Sequence, residues 1–126
     1  MEIKPIYVTF KQAELLKEKG FDVEVNSEIL TNGFVNHHGI KKNWNFEQGF
    51  YSAPEHWQVI EWLRIKHGIQ IFLDYFFYDG FHYGCKYTKS NGESGEIWIE
   101  GDDDIDGALT QQEAYSKTFD YIFKNL

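Results

Sequence analysis

The sequence has a single cysteine, Cys85, so an internal disulfide and a cysteine-based zinc cluster are both excluded. It has only 12 Lys and Arg against 20 Asp and Glu, which gives a formal net charge of −8. This balance disfavours direct binding to nucleic acid or to an anionic membrane surface. No apolar run approaches membrane-spanning length, and the N-terminus lacks the apolar core of a signal peptide. We therefore expect a cytoplasmic protein without a membrane segment.

Aromatic residues, in contrast, make up 18% of the 126 residues. A chain of this length and composition predicts one packed domain, residues 1–126, with a core that needs no disulfide or structural metal. The surplus carboxylates favour solubility or binding to a basic protein surface.

The first predicted helix lies in residues 9–20. Thr9 and Gln12 have the spacing of a capping box, and Gly20 supplies the left-handed residue that commonly follows a helix. Ala13 and Leu16 form a narrow apolar stripe, so this N-terminal helix is expected to pack through one face.

Two further helices are predicted, at residues 53–67 and 111–125. Ser52 and Glu55 have capping-box spacing, and Pro54 would fall in the first turn, where its missing N–H costs nothing. Gly68 ends the helical periodicity of the second segment.

Beyond Gly68 the spacing changes to strict alternation, which predicts strands at residues 69–78, 81–89 and 96–100. Short turn sequences separate them, including Asp79-Gly80. The predicted fold class is therefore α+β: a three-stranded antiparallel meander packed by the second and third helices, with an additional N-terminal helix and an irregular hairpin.

The irregular hairpin falls in residues 22–50. Val23 and Val25 alternate with polar residues as in a short strand, and Asn32-Gly33 is a tight-turn signal that predicts pairing of residues 28–30 with 34–36. Residues 37–39 and 41–45 are predicted to be exposed loop.

One stretch, residues 102–113, has the spacing of a known chemical site. Asp102, Asp104, Asp106 and Glu113 stand at positions 1, 3, 5 and 12 of a calcium loop, and Gly107 stands where that loop turns. A strand rather than a helix precedes it, however, and there is no second copy. The alternative is a capped helix start, with Thr110 and Glu113 as a capping box and the aspartates near the positive end of the helix dipole.

The other candidates are weaker. His82 and Cys85 have metal-like spacing, but an offset of three places them on opposite faces of a strand, and His37-His38 could join them only through an unknown fold. No phosphate loop, nucleophile elbow or metalloprotease motif is present. The alternating strands predict a second aromatic face, covered by the chain's own helices or by a second copy in a dimer, or else open to a foreign partner. Its residues are Phe72, Phe76, Tyr78 and Trp98.

Three segments carry a resemblance: residues 7–21, the stretch Ser52-Ala53-Pro54-Glu55-His56-Trp57 continuing to Arg64, and Gln112-Glu113-Ala114-Tyr115. They resemble a group of small proteins common in phages and prophages of Bacteroides-like bacteria. The resemblance implies an accessory gene of a mobile element and carries no catalytic residue across. The acidic loop is longer than the short turn that usually precedes the last helix in that group.

Together these observations predict a non-enzymatic accessory protein of a phage or prophage that binds another macromolecule, most simply a protein, and that requires no cofactor. One alternative is an anti-defence inhibitor whose acidic surface imitates nucleic acid or blocks a basic groove. Another is a calcium-binding module through residues 102–113.

Overall fold

The structure, a computed structural model, describes four stretches of the chain. They are residues 6–77, 81–88, 91–100 and 111–126, with the backbone alone described at 72–77, 81–87, 96–100, 111 and 114.

Helices and antiparallel strands both occur in these stretches, which confirms the predicted α+β class. The elements in chain order are α1 (Phe10–Glu18), β1 (Val25–Ile29), β2 (Val35–Lys42), a 3₁₀ turn (Trp44–Phe46), α2 (His56–His67), β3 (Gln70–Phe77), β4 (Phe81–Thr88), β5 (Ser94–Glu100) and α3 (Gln111–Lys124).

Helix α1 begins and ends as its sequence predicts. The Thr9 hydroxyl accepts from the Gln12 N–H at 3.2 Å, and the Gln12 side chain accepts from the Thr9 N–H at 3.0 Å, so the capping box is complete. At the other end Gly20 has φ +88°, and the Phe21 N–H donates to the Leu16 carbonyl at 2.9 Å. This is a Schellman motif, and it turns Phe21 into the core, where it is 1% exposed.

Strands β1 and β2 form the predicted hairpin around Asn32-Gly33, with Ile29 opposite Val35 and Glu28 opposite Asn36. The prediction of a loop after residue 36 is wrong, although His37, Gly39 and Lys41 are exposed as predicted. β2 continues to Lys42. Its pairing with β1 is irregular, because Ser27 is opposite His37 whereas Val25 is opposite Lys42, so the residues of β2 between these pairs outnumber those of β1. The mixed polar sequence of β2 lacks the alternation by which strands are recognised.

The predicted start of α2 is also wrong, because the helix begins at His56 rather than at residue 53. Residues 52–55 are extended instead, and their backbone groups bond elsewhere: the Ala53 N–H donates to the Ser27 carbonyl at 2.9 Å, and the Pro54 carbonyl accepts from the Val8 N–H at 3.2 Å. Ser52 lies in a bridge with Glu28 and does not cap the helix. Gln58 supplies the cap, since its side chain accepts from the Glu55 N–H at 2.8 Å.

Strands β3, β4 and β5 pair antiparallel in chain order, with Leu73 opposite Cys85 and Cys85 opposite Ile97. β5 begins at Ser94, two residues before its predicted start. The predicted turn Asp79-Gly80 lies outside the described residues. How the helices pack on this sheet stays a prediction.

The chain divides into two compact units, residues 1–59 with 122–126, and residues 60–121. Each has buried apolar side chains of its own. In the first unit these include Val8, Ala13, Leu16, Phe21, Val25, Ile29, Trp44, Val59 and Phe123; in the second they include Trp62, Leu63, Ile69 and Phe119.

Within the described stretches, no helix combines the length and the apolar character that crossing a bilayer requires.

Candidate functional site

The side chains that converge in the first unit surround the β1–β2 hairpin and begin with a buried carboxylate. Glu28 is only 6% exposed. Its Oε1 accepts from Asn36 Nδ2 at 3.3 Å and lies 3.2 Å from His38 Nε2. Because a buried charge without partners is costly, these contacts stabilise Glu28 and fix the two side chains of β2 in return.

Trp44 lies next to this cluster and connects β2 to β1. Its ring stacks on the His38 ring with centroids 4.1 Å apart, and its Nε1–H donates to the Val25 carbonyl at 2.8 Å. The Lys42 ammonium lies 4.8 Å from the Trp44 ring centroid and also pairs with Glu47. The indole is 6% exposed, so the loop predicted at residues 41–45 contains a core residue.

The turn formed by residues 44–50 is held by the side chain of Lys17, from α1, and by the side chains of two of its own residues, Trp44 and Asn45. Lys17 Nζ donates to the Glu47 carbonyl at 3.0 Å and to the Phe50 carbonyl at 2.8 Å. Asn45 donates through Nδ2 to the Phe21 carbonyl at 3.0 Å and accepts the Ser52 N–H at 2.8 Å. With the Trp44 bond, these three side chains make five hydrogen bonds: the two from Lys17 end on carbonyls of the turn, and the other three connect Asn45 and Trp44 to the backbone of residues 21, 25 and 52.

Phe46 projects into solvent from the middle of this fixed turn and is 88% exposed. Two apolar side chains of the hairpin are also exposed, Phe34 at 60% and Ile40 at 65%. Single exposed apolar residues are normal on protein surfaces. A nearly fully exposed Phe on a turn held by side-chain hydrogen bonds differs from one on a mobile loop, because its backbone has little conformational entropy left to lose.

A serine and a histidine also meet in the hairpin. Ser27 Oγ lies 2.9 Å from His37 Nδ1 and donates to Asn26 Oδ1 at 3.3 Å, and the His37 ring lies 5.4 Å from the Tyr7 ring. A nucleophile must be reachable, however, and Ser27 is 0% exposed. The contact therefore serves to fix the pairing of β1 with β2.

Two histidines on α2 have shifted titrations. Burial lowers the pKa of His56. It also lowers the pKa of His67, which is less buried. The His67 ring meets the Trp62 ring edge to face with centroids 4.6 Å apart. In both cases the cause is desolvation of the charged imidazolium, which any buried histidine experiences, so these shifts do not by themselves indicate an acid–base site.

Most residues of the predicted calcium loop, Asp102, Asp104 and Asp106 included, lie outside the described residues. Glu113 is in the first turn of α3 and exposed. The described stretches contain no group of three or more His, Cys, Asp or Glu that could hold a metal. The calcium loop and the capped helix start thus both stay predictions.

Five of the six remaining predicted positions lie on strands β3, β4 and β5. His82 and Cys85 are on β4, while Phe72 and Phe76 are on β3 and Trp98 on β5. Tyr78, and the side chains of the other five, fall outside what the structure describes. The structure brings His37 and His38 to separate partners, Ser27 and Glu28.

Comparison with protein-family models, with curated proteins and with solved structures gave no match. The candidate site therefore depends on geometry alone.

Sequence reasoning missed Glu28, Lys17, Trp44 and Phe46. One signal could have pointed to them: Trp44 and Phe46 alternate with Asn43 and Asn45 in a short segment that also follows two lysines. Asn is a frequent turn residue whose side chain bonds to nearby backbone, so such a segment is typical of a structured turn rather than of a mobile loop.

Proposed function

We propose that this chain is a protein-binding accessory module and that Phe46, on the fixed 44–50 turn, is the residue that enters the partner. The observation that carries the proposal is the combination of 88% exposure with a turn ordered by Lys17, Asn45 and Trp44. An aromatic side chain on an ordered backbone loses little conformational entropy on binding, and such residues contribute most of the affinity at many interfaces.

The charge of the first unit supports an apolar contact. Residues 1–59 and 122–126 carry 8 Asp and Glu against 7 Lys and Arg, a net charge of −1. A nearly neutral unit neither attracts nor repels most protein surfaces at long range. The partner we propose is therefore a protein with an apolar pocket.

The test is capture from a host lysate with three forms of the tagged chain: parent, Phe46→Ser and Trp57→Ser. Trp57 is the matched control, because it is an aromatic of the same unit that is 59% exposed but stands on α2. We expect a partner that Phe46→Ser loses, that Trp57→Ser retains and that salt does not release. A partner retained equally by both variants would contradict the proposal.

A second candidate function is supported by the charge of the other unit. Residues 60–121 carry 12 Asp and Glu against 5 Lys and Arg, and between residues 93 and 106 there are seven acidic residues and no basic one. This concentration favours the anti-defence inhibitor that blocks a basic groove. Capture of a basic nucleic-acid enzyme, weakened by salt and unaffected by Phe46→Ser, would support this candidate over the first.

The phage or prophage setting, and a cytoplasmic location with it, belong to the proposal. They rest on the resemblance of three segments and on the composition of the sequence. Gene neighbours with roles in defence, packaging or replication would support the setting, and a chromosomal housekeeping neighbourhood would contradict it.

We also propose that α2 and α3 pack on a three-stranded meander of β3, β4 and β5, and that a second copy covers whatever aromatic face they leave open. The high aromatic content supports this, because a small domain has difficulty burying every ring on both faces of one sheet. Light scattering that reports only monomer at high protein concentration would contradict the dimer.

A further inference from the structure

The two edges of the β1–β2 hairpin differ in their hydrogen bonding. Beyond β1, residues 51–53 complete the edge: the Ile29 N–H donates to the Tyr51 carbonyl and the Ser27 carbonyl accepts from the Ala53 N–H, both at 2.9 Å. The backbone groups of Ser27 and Ile29 therefore point away from β2.

The register then fixes where the corresponding groups of β2 point. Ile29 is opposite Val35 and Ser27 is opposite His37. In an antiparallel pair, residues directly opposite each other direct their backbone groups either both inward or both outward. The N–H and carbonyl groups of Val35 and His37 thus point away from β1, and within the described stretches no hydrogen bond reaches these four groups.

We infer that the outer edge of β2 is a binding site for an extended segment of the partner protein, which adds a strand next to Val35 and His37. This inference rests on the proposed protein-binding function and specifies its mode. Four unbonded backbone groups at a strand edge are the recognition element that strand addition uses, and pockets or charges along the strand then select the sequence.

Charge favours an occupant that carries carboxylates, because Lys42 is paired with Glu47 whereas Lys41 has no ion pair within the described stretches. There is no Asp or Glu between Glu28 and Glu47, while Lys41, near the end of β2, is exposed. An acidic side chain on the added strand would pair with Lys41 across the edge. A second copy of this chain cannot form such a pair through its own β2, because residues 35–42 include no Asp or Glu.

The experiment uses the full chain and a displayed library of random dodecapeptides. The key comparison is Val35→Pro against Val35→Ala. Proline removes the outward N–H of Val35 and leaves the bonds between β1 and β2 intact, since that N–H takes no part in them, whereas alanine keeps the N–H. Melting curves show whether each variant is folded.

We expect enrichment of acidic peptides with alternating β-branched residues, and binding at least about tenfold weaker to Val35→Pro than to Val35→Ala. Bound peptide should also slow hydrogen exchange of the His37 amide. Lys41→Glu provides a second test that does not depend on proline, because reversal of this exposed charge should shift the selected peptides from acidic to basic.

Absence of enrichment, selection of the same peptides by Lys41→Glu, or equal binding by the two folded Val35 variants would each overturn the inference. If light scattering shows that the parent chain is a dimer and that Val35→Pro is a monomer, the edge binds a second copy and the inference is overturned as well. If the lysate partner depends on Phe46 but not on the Val35 N–H, the protein-binding function stands and the strand-addition mode fails.

Discussion

Trp44 should contribute far more to stability than its position in a mixed polar segment indicates. Replacement by phenylalanine removes the Nε1–H that reaches the Val25 carbonyl, and Val25 is only 1% exposed. A buried carbonyl left without its donor costs about 1–3 kcal/mol. The smaller ring also leaves part of the indole volume empty and weakens the interaction with Lys42, so we expect a total loss of ~2–4 kcal/mol in the free energy of unfolding.

The matched control is Trp57→Phe. Trp57 is 59% exposed, and exposed substitutions away from specific contacts change stability by no more than about 0.5 kcal/mol. Urea unfolding followed by far-UV circular dichroism avoids the loss of tryptophan fluorescence in both variants. With an m-value of about 2 kcal/mol per molar urea, the Trp44 variant should unfold at a midpoint lower by at least ~1 M. Equal midpoints for the two variants would refute the assignment of Trp44 to the core.

Three further predictions follow from the structure. Thr9→Ala removes the acceptor of the Gln12 N–H and should lower the free energy of unfolding by about 1 kcal/mol, measured by urea unfolding, with Thr9→Ser as the control that keeps the cap. Burial lowers the pKa of His56 in the folded state, so as pH falls the unfolded state binds a proton on His56 before the folded state does. The free energy of unfolding should therefore decline as pH falls below ~6.5. His56→Gln should flatten this decline, and an unchanged slope would contradict the assignment. For residues 102–113 we expect the same Tm in calcium as in chelator, because strand β5 rather than a helix precedes the loop. If calcium raises the Tm and Glu113→Gln abolishes that rise, the calcium loop is established instead.

Local signals in the sequence predicted those elements whose ends are determined by neighbouring residues. The α1 caps depend on residues three to five positions apart, and the hairpin turn at Asn32-Gly33 depends on two adjacent residues. The start of α2 failed for the opposite reason. Ser52 and Glu55 have capping spacing, but β1 and residue 8 bond to the backbone of residues 52–55 and hold it extended. Hydrogen bonds to residues distant in sequence cannot be read from the spacing of neighbouring residues.

The candidate site was unpredictable for the same physical reason, since its order comes from contacts distant in sequence. Lys17 reaches carbonyls 30 and 33 residues away, and Asn45 reaches one 24 residues away. The Lys17 bonds take up two backbone carbonyls of the 44–50 turn, and the Asn45 bond connects the turn to Phe21, so this segment is ordered although it has no helical or strand periodicity that would predict it. The role proposed for Phe46 depends on this arrangement. In a mobile loop an exposed phenylalanine would lose backbone entropy on binding, whereas the backbone of the 44–50 turn is already ordered in the folded protein. Lys17→Met should therefore weaken partner capture through Phe46 even though Lys17 need not touch the partner, and it should do so by lowering affinity without changing which protein is captured. Capture unchanged in a folded Lys17→Met chain would show that the order of the turn is unimportant for binding.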